Sequence, residues 1–277
     1  LIRNLNNFGR NGVFNDERAL NYAIQKITSR EAIKNSKLFP FRFYIAHQML
    51  RDYVSEPRLT GSQVVRSLGI SRRLREALLK ALEISVENVP EIVGKVAVLS
   101  DVSGSMSSSL TGDYSVVQCI DLVGLFTGIL LKRIRTPIPI LLPFNHEVRM
   151  DIATKVMKQE TIMDVAKVFS EMYGGGTSLS APIRWLIDNK ETVDLIIGFT
   201  DNEEWVGDTF IETFMEYRSR INPEVRAYFV TLLPYRDYPV PPEVPNVHFV
   251  FGWNDNVLRY ITTDPTKQMV EIENTKL

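Results

Sequence analysis

Asp101, Ser103 and Ser105 alternate in the stretch SDVSGSMSSS, residues 100–109. In extended backbone, side chains two apart point the same way, so one carboxylate and two hydroxyls converge. Thr177 follows three glycines in YGGGTSLSAPIRW, at the entrance to a helical pattern. Glycines there admit backbone turns that a Cβ resists. Asp201 closes the run IIGFTD. Two carboxylates and three neutral hydroxyls form an all-oxygen set, which suits Mg²⁺ or Mn²⁺ and not zinc. With so few protein ligands, Mg²⁺ would keep waters and an open coordination position. Taken alone, D-x-S-x-S reads sooner as a capped loop. GGGT and FTD, at matching strand and helix junctions, turn the balance towards a metal.

Five β-branched or aromatic runs position these residues: VAVLS (96–100), PIPILLPF (137–144), VDLIIGFT (193–200), VRAYFVTLL (225–233) and VHFVFG (247–252). Helical patterns lie between most of them, at 114–134, 161–173, 179–189 and 208–220. This alternation predicts crossover connections and a mainly parallel, doubly wound sheet covered on both faces. Open α/β sheets place ligand chemistry at strand–loop–helix junctions of the kind SDVSGSM makes. EVRMD (147–151) follows the second strand so closely that it predicts a hairpin partner and one antiparallel edge. Pro137 and Pro139 belong at that strand's entry, because proline breaks a ladder. YRDYPVPPEVPN reads as a surface loop.

Residues 1–90 read differently. DERALNYAIQKITS starts at acidic Asp16 and carries Leu20, Ala23, Ile24 and Ile27 on one helical stripe. FRFYIAHQMLRDYV follows Pro40, which suits a first turn. SRRLREALLKALEISVENV has Ser71 as N-cap and Leu74, Leu78, Leu79 and Leu82 as its apolar side. Short paired helices predict a bundle or a helical solenoid. The opening LIRNLNNF reads as the end of an element already under way, so the chain is expected to be a fragment or a processed product.

The net charge of −1 conceals a division. Residues 1–90 hold 15 Lys and Arg against 8 Asp and Glu, a balance of +7; residues 91–277 hold 17 against 25, a balance of −8. Such asymmetry points to two parts with different partners, or to two halves that attract each other. Arg72, Arg73 and Arg75 form the densest basic group. A solvated helix face is the commoner meaning of such a run; contact with RNA phosphates is the functional one.

The three-part pattern DVSGSM, GGGT and FTD resembles the metal-ion-dependent adhesion site (MIDAS) of von Willebrand factor A domains, and residues 95–262 are similar to that family throughout. The resemblance implies a six-stranded sheet in order 3-2-1-4-5-6, with Asp101 and Asp201 meeting at its top. LIRNLNNFGRNGVF and ITSREAIKNSKLFPFRFYIAHQM, followed by an A domain with TDNE, resemble the Ro (TROVE) family. These are ring-shaped RNA-binding proteins of helical, HEAT-like repeats closed by an A domain. The resemblance divides the chain into 1–90, the C-terminal portion of a TROVE helical-repeat domain, and 91–277, a von Willebrand factor A-like domain. The family's ring has considerably more helical repeat ahead of the point where this chain begins. Its principal RNA-contacting positions lie mostly there and are not carried over.

The resemblance implies a ribonucleoprotein component and no enzyme. The helical part would bind small non-coding (Y-like) or misfolded RNA, and in bacterial members an exoribonuclease is tethered through that RNA. The A domain would hold Mg²⁺ or Mn²⁺ and offer it to an acidic protein ligand. The rival class is an adhesion or scaffold domain whose metal captures a partner's carboxylate without RNA. A phosphoryl-transfer enzyme would need a general base and a substrate pocket that the residues do not suggest. EMYGGGTS lacks the lysine of a phosphate-binding loop, and no G-x-S-x-G surrounds Ser105. His47 and His146 read as structural; Glu203 and Glu204 read as acceptors behind the metal ligands or, sooner, as favouring the N-terminus of a following helix. Cys119, the single cysteine, reads as a small core residue and excludes an internal disulfide framework. With no signal peptide or membrane-spanning run, a cytoplasmic location is expected.

Overall fold

The computed structural model describes residues 1–53, 61–110, 117–135, 139–201, 209–233 and 244–262. Glu203, Glu204, Pro137 and most of the proline-rich stretch 235–246 lie outside the described residues. The chain divides into two compact units, Leu1–Val89 and Pro90–Leu277.

The first unit is helical: α1 Leu5–Arg10, α2 Glu17–Thr28, α3 Arg30–Ser36, α4 Pro40–Tyr53 and α5 Gly61–Ser85. Asp16 caps α2 by accepting the Arg18 N–H at 2.9 Å, and Ser29 caps α3 by accepting the Ala32 N–H at 3.3 Å. Leu20, Ala23 and Ile27 form the buried stripe of α2. The expected start of the last helix at Ser71 is overturned. α5 begins ten residues earlier, at Gly61, and Ser71 lies fully buried in its interior. Its stripe continues Ser67, Ser71, Leu74, Leu78 and Leu82 at helical spacing, so burial against neighbouring helices overrides the local capping preference of serine. The end of α5 is tied to α3: Asn88 Nδ2 donates to the carbonyls of Ile33 and Leu38 at 3.1 and 2.7 Å.

The second unit is built on five strands: β1 Val96–Asp101, β2 Ile140–Phe144, β3 Leu195–Thr200, β4 Arg226–Thr231 and β5 Val247–Phe251. They lie in the order β2-β1-β3-β4-β5, every neighbour parallel. Among the described residues six helices accompany them: α6 Cys119–Arg133, α7 Met150–Val156, α8 Ile162–Met172, α9 Ser180–Asp188, α10 Phe210–Arg220 and α11 Asp255–Thr262. β1 and β3 are buried along their whole length, as a central parallel strand must be. Ala97, Leu99, Ile196, Ala227 and Phe229 face one side and pack with Ile183, Leu186, Phe210 and Phe214 of α9 and α10. On the other side Phe199 stacks on Phe126 of α6, ring centroids 5.4 Å apart, and Ser100 Oγ meets Thr127 Oγ1 at 2.8 Å.

The stretch after β2 corrects one expectation. EVRMD contributes no antiparallel strand; among the described residues it makes one bridge, Phe144 to Val148, and the chain turns into α7 at Met150. Ile152, Ala153 and Val156 are buried at helical spacing, and that periodicity outweighs the short link to β2. The Pro143 carbonyl accepts the Arg149 N–H at 2.7 Å, so Pro143 faces away from β1, where a missing N–H breaks no ladder bond.

α6 and α8 approach closely through Gly124 and Gly128. A Cβ on Gly124 would stand 2.6 Å from the Ala166 Cα, and one on Gly128 would stand 3.2 Å from the Ile162 Cα. The obstacle is backbone and cannot rotate aside. Gly69 on α5 has open space instead. Gly124→Ala is therefore expected to lower stability by about 1–3 kcal/mol through overpacking, despite alanine's better helix propensity. Gly69→Ala should raise it by about 0.5–1 kcal/mol. Denaturant titration of the two variants checks both signs.

Candidate metal centre at the carboxyl edge of the sheet

The pairing of β1 with β3, Ser100 opposite Phe199, brings the carboxyl ends of both strands together. Asp101 is the last residue of β1 and Asp201 directly follows β3; both are fully buried. Asp101 is held from two sides. Its Oδ1 accepts the Ser103 N–H at 2.8 Å, and its Oδ2 accepts the Thr200 hydroxyl at 2.8 Å. Ser103 Oγ lies 3.1 Å from Ser105 Oγ, so the two hydroxyls converge, brought together by a 3₁₀ turn and not by the extended backbone that the alternation supposes. Met106, fully buried, anchors the short 3₁₀ turn Gly104–Ser107 that carries Ser105.

Thr177 reaches the same edge through backbone bonding between two loops. The Gly174 N–H donates to the Val102 carbonyl at 2.7 Å, and the Gly104 N–H donates to the Gly175 carbonyl at 2.9 Å. Gly174 and Gly175 have φ of +146° and +90°, which glycine adopts freely. A Cβ on Gly175 would stand 2.9 Å from Asn145 Nδ2. Asn145, just beyond β2, locks this loop in turn: its Nδ2 donates to the Gly174 carbonyl at 2.7 Å, and its carbonyl accepts the Ser178 N–H at 2.8 Å. Thr177 is 2% exposed.

Thr200 and Asn145 were not read from the sequence as site residues. Thr200 stood in the FTD run, but only the carboxylate there carried a metal signature. Asn145 had no signal beyond its place at the end of a strand.

The electrostatics fit a cation. Burial, and then the neighbouring charge of Asp201, push the Asp101 carboxyl up from its usual 3.8 to about 7, against hydrogen bonds from Ser103 and Thr200 that hold it down. Two buried carboxylates that repel each other, beside hydroxyl oxygens, are a donor set that a divalent ion would relieve. Among the described residues no three of His, Cys, Asp and Glu gather at one place, so any such ion would be held by carboxylate and hydroxyl oxygens together. Cys119 lies within reach of the same charges. Burial, then Asp201 and Asp101, push its thiol up to about 12, which fits the core role expected of it.

The three arginines lie on α5, in the first unit. Arg73 bridges α5 to α2: Nη1 meets Glu17 Oε1 and Nη2 donates to Asn21 Oδ1, each at 2.6 Å. Arg72 is exposed, with Glu76 Oε1 at 3.8 Å, and no described residue pairs with Arg75. An open groove of about 340 Å³ runs between α2 and α5, lined by Asn21, Thr28, Arg73, Glu76 and Lys80 among others. Among the described residues no helix is long and apolar enough to cross a membrane.

A parallel sheet wound by helices on both faces, with a serine loop and a glycine loop clasped at its carboxyl edge, defines a von Willebrand factor A-type domain, here preceded by a helical unit. The family model of the Ro60 vWA domain matches residues 95–263, and that of the TROVE domain matches residues 1–64. The chain belongs to the Ro (TROVE) family. It is 27% identical over 213 residues to the "RNA-binding protein RO60" of Deinococcus radiodurans, covering 75% of this chain and 37% of that protein. It is 22% identical over 242 residues to the protein of the same name from Caenorhabditis elegans, covering 87% of this chain and 35% of that one. The chain thus spans little more than a third of the length of these curated relatives. The crystal structure of the D. radiodurans Ro (RSR) protein shares its fold, with a TM-score of 0.76 at 21% identity, over 95% of this chain and 52% of that one.

The raised Asp101 carboxyl has a measurable sign. Between about pH 4 and pH 7 the folded, metal-free protein keeps a proton that the unfolded chain has released, so this group makes stability fall as pH rises through that window. In chelator, Asp101→Asn should gain on the wild type across the window and hold a constant lead above it. The lead should exceed the ~2–4 °C that about 1 kcal/mol gives a domain of this size. Parallel melting curves at pH 4.5 and pH 8 would contradict the coupling.

Proposed function

We propose that this chain is a binding component of a ribonucleoprotein: its helical unit contacts RNA, and its A domain holds a divalent cation for a protein partner. The observation that carries the cation is the buried Asp101–Asp201 pair beside the hydroxyls of Ser103 and Ser105. Mg²⁺ or Mn²⁺ would be held by these four residues and Thr177. When bound, it supplies a concentrated positive charge for an acidic ligand. The residues themselves keep the Asp101 carboxylate in place, through Thr200 and the Ser103 N–H, and fix the two loops against each other.

RNA contact is supported by what the two relatives are called and by the +7 balance of residues 1–90. Small non-coding, Y-like RNA or misfolded RNA is the class we assign, with an exoribonuclease as a further partner reached through that RNA and a cytoplasmic setting. Arg72 and Arg75 are the better candidates for phosphate contact, since Arg73 is engaged by Glu17 and Asn21.

Two experiments test this reading. Asp101→Ala should abolish Mg²⁺ and Mn²⁺ binding in calorimetry and leave the far-UV spectrum unchanged, because the Asp101 side chain bonds Ser103 and Thr200 and makes no bond of the sheet ladder. Undiminished metal affinity would refute the centre. For RNA, log affinity should fall with log salt, and replacing Arg72 and Arg75 by Ala should shallow that slope by about 0.7 for each single-strand phosphate no longer neutralised. Arg73→Ala should instead cost helical stability. RNA binding that ignores salt, or crosslinks confined to residues beyond 95, would favour a metal-dependent scaffold without RNA.

A further inference from the structure

The turn Asn145–Glu147 sits against the glycine loop of the candidate centre, and its middle residue has no part in the set that would hold the ion. Asn145 is 3% exposed and fixed by four bonds: to the Gly174 carbonyl, from the Ser178 N–H, and twice with Glu147 across the turn. This anchoring fixes the backbone of His146. The His146 side chain is exposed, and no described residue pairs with its ring. A Cβ on Gly175 would stand 3.2 Å from His146 Nδ1, so the imidazole lies against the glycine loop itself. The Gly175 carbonyl accepts the Gly104 N–H, in the segment between Ser103 and Ser105. Glu147, the acid beside it in the chain, acts on Arg149. An exposed imidazole on an anchored backbone thus stands against the glycine loop that leads to Thr177.

We propose that His146 is a ligand-selecting residue of this centre: its ring N–H donates to one oxygen of a protein carboxylate whose other oxygen rides on the cation. The proposal rests on the reading of the centre as a divalent-cation site. A single Asp or Glu side chain is the occupant the charges favour. The unit carries a balance of −8 over residues 91–277, which opposes a polyanion more strongly than one carboxylate. An imidazole supplies a ring N–H whether it is neutral or protonated, and a hydrogen bond to a charged acceptor is among the stronger ones. Glycine at 175 leaves room for the ring where any side chain would displace it.

The test uses the whole chain, saturating Mg²⁺ and a Gly/Ser peptide carrying one glutamate, with Mg²⁺ affinity measured separately by calorimetry. His146→Ala should leave Mg²⁺ affinity within about twofold and weaken the peptide about tenfold, the loss of one charge-assisted hydrogen bond. His146→Gln, which keeps an N–H, should recover part of that loss. Unchanged peptide affinity in His146→Ala overturns the proposal. So does an equal loss of Mg²⁺ affinity, which would make the residue structural. Tighter Mg²⁺-dependent binding of inorganic phosphate than of the peptide overturns the choice of ligand. Mg²⁺ binding without peptide binding sinks the carboxylate proposal alone; absence of Mg²⁺ binding in the wild type sinks the cation reading beneath it.

Discussion

Parallel pairing of β1 with β3 is the constraint on which the second unit turns. The two strands are neighbours in the sheet but lie almost a hundred residues apart in the chain, so α6, β2, α7, α8 and α9 must all be placed before they can meet. Crossovers of this kind cover both faces, and that coverage is why β1 and β3 are apolar and fully buried along their length. Only where the strands stop can polar groups be accommodated, and there the two chain ends deliver Asp101 and Asp201 side by side. The repulsion between them is a direct product of the topology. It is tolerated because Thr200 and the Ser103 N–H hold Asp101, and because two rigid loops keep the group from opening.

Much of this was legible in the sequence, for reasons that differ by residue. Asp101, Ser103 and Ser105 were readable from their close spacing directly after a strand, although Ser105 is delivered by the 3₁₀ turn Gly104–Ser107 and not by extended backbone. The glycines before Thr177 were readable because φ values of +146° and +90° admit few other residues. The five strand runs stood out because central parallel strands are continuously apolar. What failed was local preference set against packing. Ser71 looks like a cap until the stripe that runs through it is followed back to Ser67. EVRMD looks like a strand because it follows one, but the burial of Ile152, Ala153 and Val156 belongs to a helix. Arg73, read as one of three equivalent charges, is distinguished only by Glu17 and Asn21 on α2, more than fifty positions away. No single-chain pattern encodes such a contact.

The two units divide the chemistry by charge as well as by fold. The helical unit is basic, and a net positive balance suits a polyanion through contacts that weaken with salt. The A unit is acidic overall but concentrates two carboxylates where water is excluded. An ion there is screened little and acts at short range. One half is thus suited to diffuse recognition and the other to a single point of attachment.

Pro143 has a consequence that reaches past the site. β2 lies at one end of the strand order, with no sixth strand beside it among the described residues. Outward-facing positions alternate through Pro143, Leu141 and Pro139, and both prolines lack an N–H. The carbonyl of Pro143 is already taken by Arg149. A foreign strand drawing up to this margin would find one backbone donor, that of Leu141, where a ladder needs one at every second residue. Runaway stacking of copy upon copy, the route by which open sheets become fibres, is closed on that side by covalent structure and not by charge, and so stays closed at any ionic strength.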